Sequence, residues 1–258
     1  MIEGHKIVSR DEWLDARKKL LVREKEFTRA RDELSRARRE LPWERVEKKY
    51  EFEGPKGRES LSDLFAGKSQ LIVYHFMFAP DWETGCKSCS FWADNFNGAS
   101  AHLSQRDTTF VVVSRAPLAK LEAFKKRLGW SFKWVSSGDS DFNYDYGVSF
   151  RPKAPAKAKG VYNYSPFETA MTDLPGFSVF VKDKDGTIFH SYSCYARGLD
   201  LMNSAYNLLD LTPKGRDENG PHRNLMDWVR HHDKYDFDGF VDATSLYRTG
   251  AVTYEART

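Results

Sequence analysis

The sequence predicts an α/β fold: a central mixed sheet flanked by helices, with a long N-terminal helix before it and a C-terminal extension after it. Three observations carry this. Two apolar runs without polar alternation, "LIVYHFMF" (71–78) and "TTFVVVS" (108–114), suit strands buried on both faces. Helically spaced stretches follow each of them. The order is therefore strand, helix, strand, helix, strand, which implies parallel pairing through right-handed crossovers. Further on, "GFSVFVKDKDGTIFHSYS" places two β-rich runs around the turn "KDKDG", an antiparallel hairpin that makes the sheet mixed.

The N-terminal helix starts at a capping box, Ser9-x-x-Glu12, and is ended by Pro42. Trp13, Leu20, Phe27, Leu34 and Leu41 recur every seven residues, with Ala16, Arg23, Ala30 and Ala37 three places after the first four. This draws one narrow apolar stripe along a helix of roughly 50 Å. Such a stripe serves either an arm packed along its own domain or, because the spacing is heptad, a homodimer contact. "SLSDLF" is a short helix or turn ahead of the first strand. Cys86 to about Arg106 reads as a helix interrupted at Gly98. "PLAKLEAFKKRLGW" is amphipathic, with Leu118, Leu121, Phe124 and Leu128 on one face, and "FKWVSS" is a third strand.

Arg151 to Phe167, rich in Pro, Lys and Ala, reads as a loop or insertion. Leu199 to Leu209 is a helix, and the tail from Thr212 is polar and irregular apart from "NLMDWVRHHDKY". The organisation that follows is an N-terminal helical arm over residues 1–50, a core domain over 51–211 with a loop insertion at about 151–172, and a C-terminal extension over 212–258.

At 258 residues the chain can bury a sizeable core, and a net charge of +3 demands no nucleic-acid partner. The basic stretch Arg29 to Arg39 interleaves with Asp32 and Glu33 and reads as a solvated helix face. No apolar run is long enough to span a membrane, and "MIEGHKIVSRDEW" lacks the apolar core of a signal peptide. A cytoplasmic location is the expectation, and no cofactor is expected. Three cysteines are too few for a disulfide scaffold. In a reducing compartment a close pair is more often catalytic or metal-binding than structural.

That pair is Cys86 and Cys89 in "APDWETGCKSCSFW". Its spacing suits a redox dithiol, half of a zinc site, or two small core residues. The position after a buried strand, where a helix begins, favours the first. Backbone N–H groups at a helix start favour negative charge and lower a thiol's pKa. Cys86, at the exposed end, would attack, and Cys89, one turn further in, would resolve. Lys87 adds positive charge beside the thiolate. The zinc alternative would draw on His190 and Cys194, four apart and, on a regular strand, on one face. A further alternative is a domain that binds a ligand or partner without catalysis.

Buried strand, aromatic-containing loop "APDWETG" and "CKSC" opening a helix together resemble the thioredoxin fold. "VVVSRAPLAKLEAFKKRLGWSFKWVSSGDSDFNYDYGVSF" and the hairpin "LPGFSVFVKDKDGTIFHSY" are similar to its peroxiredoxin-like branch. More closely, "GCKSCSFWADNF", "SSGDSDFNYDYGVSF" and "YARGLDLMNSAYNLLDLTPKGR" resemble the bacterial DUF899 family, named for its unknown function, over nearly the whole chain. The resemblance implies a thioredoxin-like fold and a thiol–disulfide oxidoreductase acting on a protein or small-molecule disulfide or thiol. It puts Pro175 in the place of the proline that faces the dithiol, and a substrate groove lined by Pro175, Trp82, Thr84 and Lys87.

Some positions depart from the pattern. Gly85, not Trp, precedes the first Cys, and Lys-Ser replaces Gly-Pro between the cysteines. The preceding strand offers Tyr74 and His75 where thioredoxins have a buried acid. Pro80 and Thr84 match the peroxiredoxin P-x-x-x-T-x-x-C spacing, but Cys86 falls one residue short and Lys87 stands at its place.

Elsewhere His75 and Cys194 read as core residues, and His231-His232 as a solvated surface pair. Phe142, Tyr144, Tyr146, Phe150, Tyr162 and Tyr164 read as core and lid. Asp139, Asp141 and Asp145 read as an acidic turn.

Overall fold

The computed structural model describes residues 4–138, 140–151, 157–218 and 226–235. The chain opens with helix α1 (Arg10–Arg39), started by the expected box: the Ser9 hydroxyl accepts the Glu12 N–H, and the Glu12 carboxylate accepts the Ser9 N–H. Acidic Asp11 and Glu12 in the first turn and basic Arg36, Arg38 and Arg39 in the last complement the helix dipole. No residue of α1 is buried. Trp13, Leu20, Phe27, Leu34 and Leu41 remain 44–64% exposed, so the stripe is not packed along its own domain.

After α1, β1 (Glu44–Arg45) ties the arm to the sheet, and β2 (Glu51–Gly54) and β3 (Gly57–Ser60) form an edge hairpin. Then come α2 (Leu61–Leu64), β4 (Gln70–His75), α3 (Lys87–Ala93), α4 (Ala99–Ser104), β5 (Thr108–Ser114), α5 (Leu118–Arg127), β6 (Lys133–Ser136) and α6 (Phe142–Asp145). The last third supplies β7 (Ala158–Tyr162), β8 (Ser165–Thr169), β9 (Gly176–Lys182), β10 (Ile188–Tyr195) and α7 (Ser204–Leu209).

Eight strands form one sheet in the order β1-β10-β9-β4-β5-β6-β2-β3. β4, β5 and β6 are parallel, and β9 joins β4 antiparallel with His75 opposite Gly176. Three parallel strands with a hairpin added beside the first make the α/β, thioredoxin-like architecture expected from the sequence.

Side-chain alternation explains why β4 and β5 are apolar throughout. Leu71, Val73, Val111 and Val113 join Phe52, Phe142 and Phe180 on one face. Tyr74, Phe110 and Val112 join Trp92, Phe124, Trp134 and Phe177 on the other. Each face is covered, so neither tolerates a polar repeat. At roughly 1.5–3 kcal/mol per buried large apolar side chain, these two clusters dominate the stability of the fold.

Three expectations need correction. The 151–167 segment is not simply loop: β7 and β8 pair as a separate hairpin turning at Asn163 and Tyr164, both at positive φ. The expected helix over 199–209 is a 3-10 segment, Ala196–Met202, and then α7, divided because the Asn203 side chain caps the second piece. The first strand stops at His75, and Phe76 to Phe78 are buried but leave the sheet.

Candidate functional site

β4 ends where the loop to the cysteines begins. The Phe76 N–H bonds the Val113 carbonyl at 2.9 Å, and the Cys86 N–H returns to the Met77 carbonyl at 3.1 Å. Gly85 lies between ring edges. A Cβ there would sit 2.7 Å from Phe76 Cε1 and 3.0 Å from Phe124 Cε1. No side chain fits directly before Cys86, which accounts for the missing Trp. Trp82 packs half-buried against the aromatic core instead. Lys120 Nζ donates to the Trp82 and Pro80 carbonyls, each at 3.0 Å, and holds this loop to α5. Thr84 is exposed.

Cys86 caps α3: its Sγ accepts the Cys89 N–H at 3.5 Å. Both are free thiols, Cys86 partly exposed and Cys89 buried. Their environments push them apart. Cys86 is lowered to about 7, first because the Cys89 thiol bonds to it and then because the Cys89 and Ser88 N–H groups do, against the cost of burial. Cys89 is pushed well up, first by burial and then by the neighbouring Cys86. Lys87 is turned elsewhere, its Nζ 3.4 Å from the Asp227 carbonyl. Tyr74 stands beneath the pair. Its hydroxyl donates to the Cys89 carbonyl at 3.2 Å, so a phenol stands on the strand position where thioredoxins carry a buried acid.

Pro175 precedes β9 at the end of the sheet from which the cysteine loop leaves. Its carbonyl accepts the Tyr162 hydroxyl at 2.8 Å, and that hydroxyl accepts the Ala196 N–H at 3.1 Å. The Tyr162 phenol is raised to about 12, mainly by burial and further by the nearby Cys89 and Cys194. Two residues before Pro175, Asp173 accepts Arg115 Nε at 2.8 Å and Nη2 at 2.7 Å. The Ser149 hydroxyl adds a third bond at 2.7 Å.

The C-terminal extension closes over the same region, and here the surface-histidine reading fails. His231 Nε2 lies 2.9 Å from the Gly85 carbonyl and Nδ1 lies 2.7 Å from Arg127 Nη2. A guanidinium only donates, so Nδ1 accepts and the proton is on Nε2, given to Gly85. Burial lowers the His231 pKa, in keeping with this neutral form. His232 is buried and its Nδ1 is 2.7 Å from Asp94 Oδ1, which also takes the Trp130 indole N–H at 2.7 Å. Trp228 packs on Phe91 of α3 with ring centroids 5.3 Å apart. The local signal was present in the apolar residues of "LMDWVRHH", but its partner lies far away in the chain.

The remaining candidates fall elsewhere. His75 is buried on the opposite face of the sheet from the thiols. It bonds Ser178 Oγ at 2.9 Å, and burial pushes it down to about 3. Of the aromatic group, Phe142 is fully buried and Tyr146 packs beside it. His190 and Cys194 do not share a face: a bulge between His190 and Tyr192 shifts the register by one. His190 meets Phe180 and Tyr146, while Cys194 enters the other core. Among the described residues no group of three or more His, Cys, Asp or Glu is placed to hold a metal, and no helix is long and apolar enough to cross a membrane. Asp141 and Asp145 take Lys48 Nζ at 2.9 and 2.7 Å, and Asp139 lies outside the described residues.

Comparison with solved structures finds partial likenesses. Peroxidoxin BcpB from Mycobacterium tuberculosis is 15% identical, with 64% of this chain and 94% of that one covered at a TM-score of 0.42. Peroxiredoxin Q from Xanthomonas campestris is 14% identical, with 60% and 88% covered at a TM-score of 0.38. A putative thiol:disulfide interchange protein DsbE from Chlorobium tepidum is 14% identical, with 64% and 94% covered at a TM-score of 0.37. No curated protein matches the sequence. The model of one family, described as bacterial protein of unknown function, matches residues 2–235. The chain belongs to that family, DUF899.

Proposed function

We propose that the chain is a thiol–disulfide oxidoreductase in which Cys86 attacks and Cys89 resolves. The observation that carries this is the placement of two thiols one helical turn apart: Cys86 is partly exposed at the start of α3 with its Sγ accepting the Cys89 N–H at 3.5 Å, and Cys89 is buried behind it, so that their surroundings lower the first thiol's pKa and raise the second's. A pair that served packing alone would need no such asymmetry. The Cys86 thiolate attacks one sulfur of a disulfide R–S–S–R′, forming a mixed disulfide and releasing R′S⁻, which takes a proton from water. Cys89 gives up its proton as it attacks Cys86 Sγ, closing the 86–89 disulfide and releasing the second thiol. Two electrons have then passed from protein to substrate. An external thiol reductant, as a dithiol or two monothiols, returns them. Pro175, Trp82, Thr84 and Lys87 are the groove residues of this reading.

Alkylation tests it. Only the thiolate reacts, so Cys86 labelling by iodoacetamide rises with pH, is half-maximal near 7 and then levels off. At neutral pH Cys86 labels at least about tenfold faster than Cys89. Slow, equal labelling of both sulfurs would remove the proposal and favour a non-catalytic binding domain.

We also infer that α1 mediates a homodimer. Its heptad stripe is exposed, and its acidic first turn and basic last turn complement each other when two copies run antiparallel. Phe27→Glu is expected to convert a dimer into a monomer in sedimentation velocity. A wild-type protein that sediments as a monomer at micromolar concentration would end the idea.

A further inference from the structure

An extended segment of a protein substrate can be held beside a site by pairing its backbone with exposed backbone there, as an added strand. The backbone available for this next to Cys86 is the segment before β9. His75 lies opposite Gly176. Leu174 and Pro175 directly precede Gly176, and two residues beyond His75 the Met77 carbonyl accepts the Cys86 N–H at 3.1 Å.

Hydrogen-bonding positions along one edge of this segment are already used by the chain itself. The Leu174 N–H donates to the Val148 carbonyl at 2.8 Å, and the Thr172 carbonyl accepts the Phe150 N–H at 2.9 Å. Ser149 and Asp173 form the bridge between these two bonds. Residues 148–150 thus lie where an incoming strand would lie. Pro175 has no N–H, and its carbonyl is held by Tyr162.

The β7–β8 hairpin seals this arrangement. Tyr162 packs tilted and Tyr164 edge-on against Tyr195, with ring centroids 5.4 and 5.6 Å apart, and the Tyr164 hydroxyl donates to the Ser193 carbonyl at 2.8 Å. The approach is close. Gly147 is left-handed, with φ 66°, and a Cβ there would stand 3.1 Å from the Val161 carbonyl. Gly160 lies against the Phe150 ring, where a Cβ would come within 3.1 Å of Cε1. Seating a peptide along Leu174 would require the Leu174–Val148 and Phe150–Thr172 bonds to break first.

We propose that the disulfide taken by the Cys86–Cys89 pair is a low-molecular-weight one, recognised without backbone pairing, and not a cystine held within a protein. This rests on the exchange chemistry proposed above. The electron balance is the same: one small disulfide becomes two thiols as the 86–89 disulfide forms.

The test uses the reduced full-length chain, mixed in separate reactions with 2-hydroxyethyl disulfide and with insulin, following loss of the free Cys86 thiol by quenched mass spectrometry. The second-order rate constant for the small disulfide is expected to exceed that for insulin by about tenfold or more. Tyr162→Phe keeps the ring but frees the Pro175 carbonyl and the Ala196 N–H, and the ratio of the two constants is expected to narrow by about threefold. Equal or faster reaction with insulin would overturn the inference while leaving the exchange chemistry intact. An unchanged ratio in Tyr162→Phe would equally overturn the hairpin's role. If neither compound oxidises the pair, the exchange reading itself falls, and this inference with it.

Discussion

Cys86→Ser lowers the rate of disulfide exchange by about a thousandfold or more, to the level of the uncatalysed reaction, while the fold is retained. Serine preserves the N-cap geometry, since a hydroxyl accepts the Cys89 N–H as the sulfur does. It removes the one sulfur that is both partly exposed and tuned to ionise near neutral pH. Cys89→Ser has a different outcome. The first attack still occurs, but no second thiol is in place to release the product. The chain accumulates as a mixed disulfide on Cys86, visible as a mass increase equal to the captured half of the substrate. The two variants separate the roles in a single assay. Retained turnover in Cys86→Ser, or a Cys89→Ser protein that never acquires the adduct, would reverse the assignment of attacking and resolving sulfur.

The largest expected effect on stability lies at Asp173, not at the cysteines. The residue is 4% exposed, and its carboxylate accepts from Arg115 twice, from Ser149, and from the Thr172 hydroxyl at 3.0 Å. Asp173→Ala leaves the guanidinium of Arg115, whose side chain is only 11% exposed, without its counter-charge. Removing one partner of such a buried pair costs about 3–5 kcal/mol. The loss is read as a shift in the midpoint of urea unfolding. Replacing both members with apolar residues, Arg115→Met with Asp173→Leu, recovers much of it, because two desolvated charges are then absent together. An Asp173→Ala midpoint within error of the parent would show that the pair contributes nothing. The site feels this change as well, since Asp173 anchors the segment that carries Pro175.

What was legible in the sequence follows from how local each feature is. β4 and β5 are continuous apolar runs because both their faces are buried, and α1 announces its start through Ser9 and Glu12. The placement of Cys86 and Cys89 after a buried strand and at the start of a helix was legible for the same reason, being a strand, a loop and a helix in a row. The β7–β8 hairpin was not. Its turn uses Asn163 and Tyr164 at positive φ where Asn-Gly would have marked it, and the Pro and Lys content nearby spoke for a loop. The bulge at Ser191 carries no residue signature, yet it moved His190 to the other side of the sheet. Lys87 was expected to add positive charge beside Cys86, on top of the N–H groups at the helix start. The sulfur is in fact stabilised by Cys89 and the backbone, while Lys87 reaches a carbonyl 140 residues away.

Contacts across such distances have a bearing on time. The His231 imidazole that holds the Gly85 carbonyl is 146 residues further along the chain. At about 5–20 residues per second, a ribosome needs roughly 7–30 s to travel from one to the other. The cysteines therefore emerge long before the segment that fastens their loop from outside. During that interval a nascent chain carries both sulfurs with their tether still unmade, and any chaperone or reductant that guards them has to act while synthesis is under way.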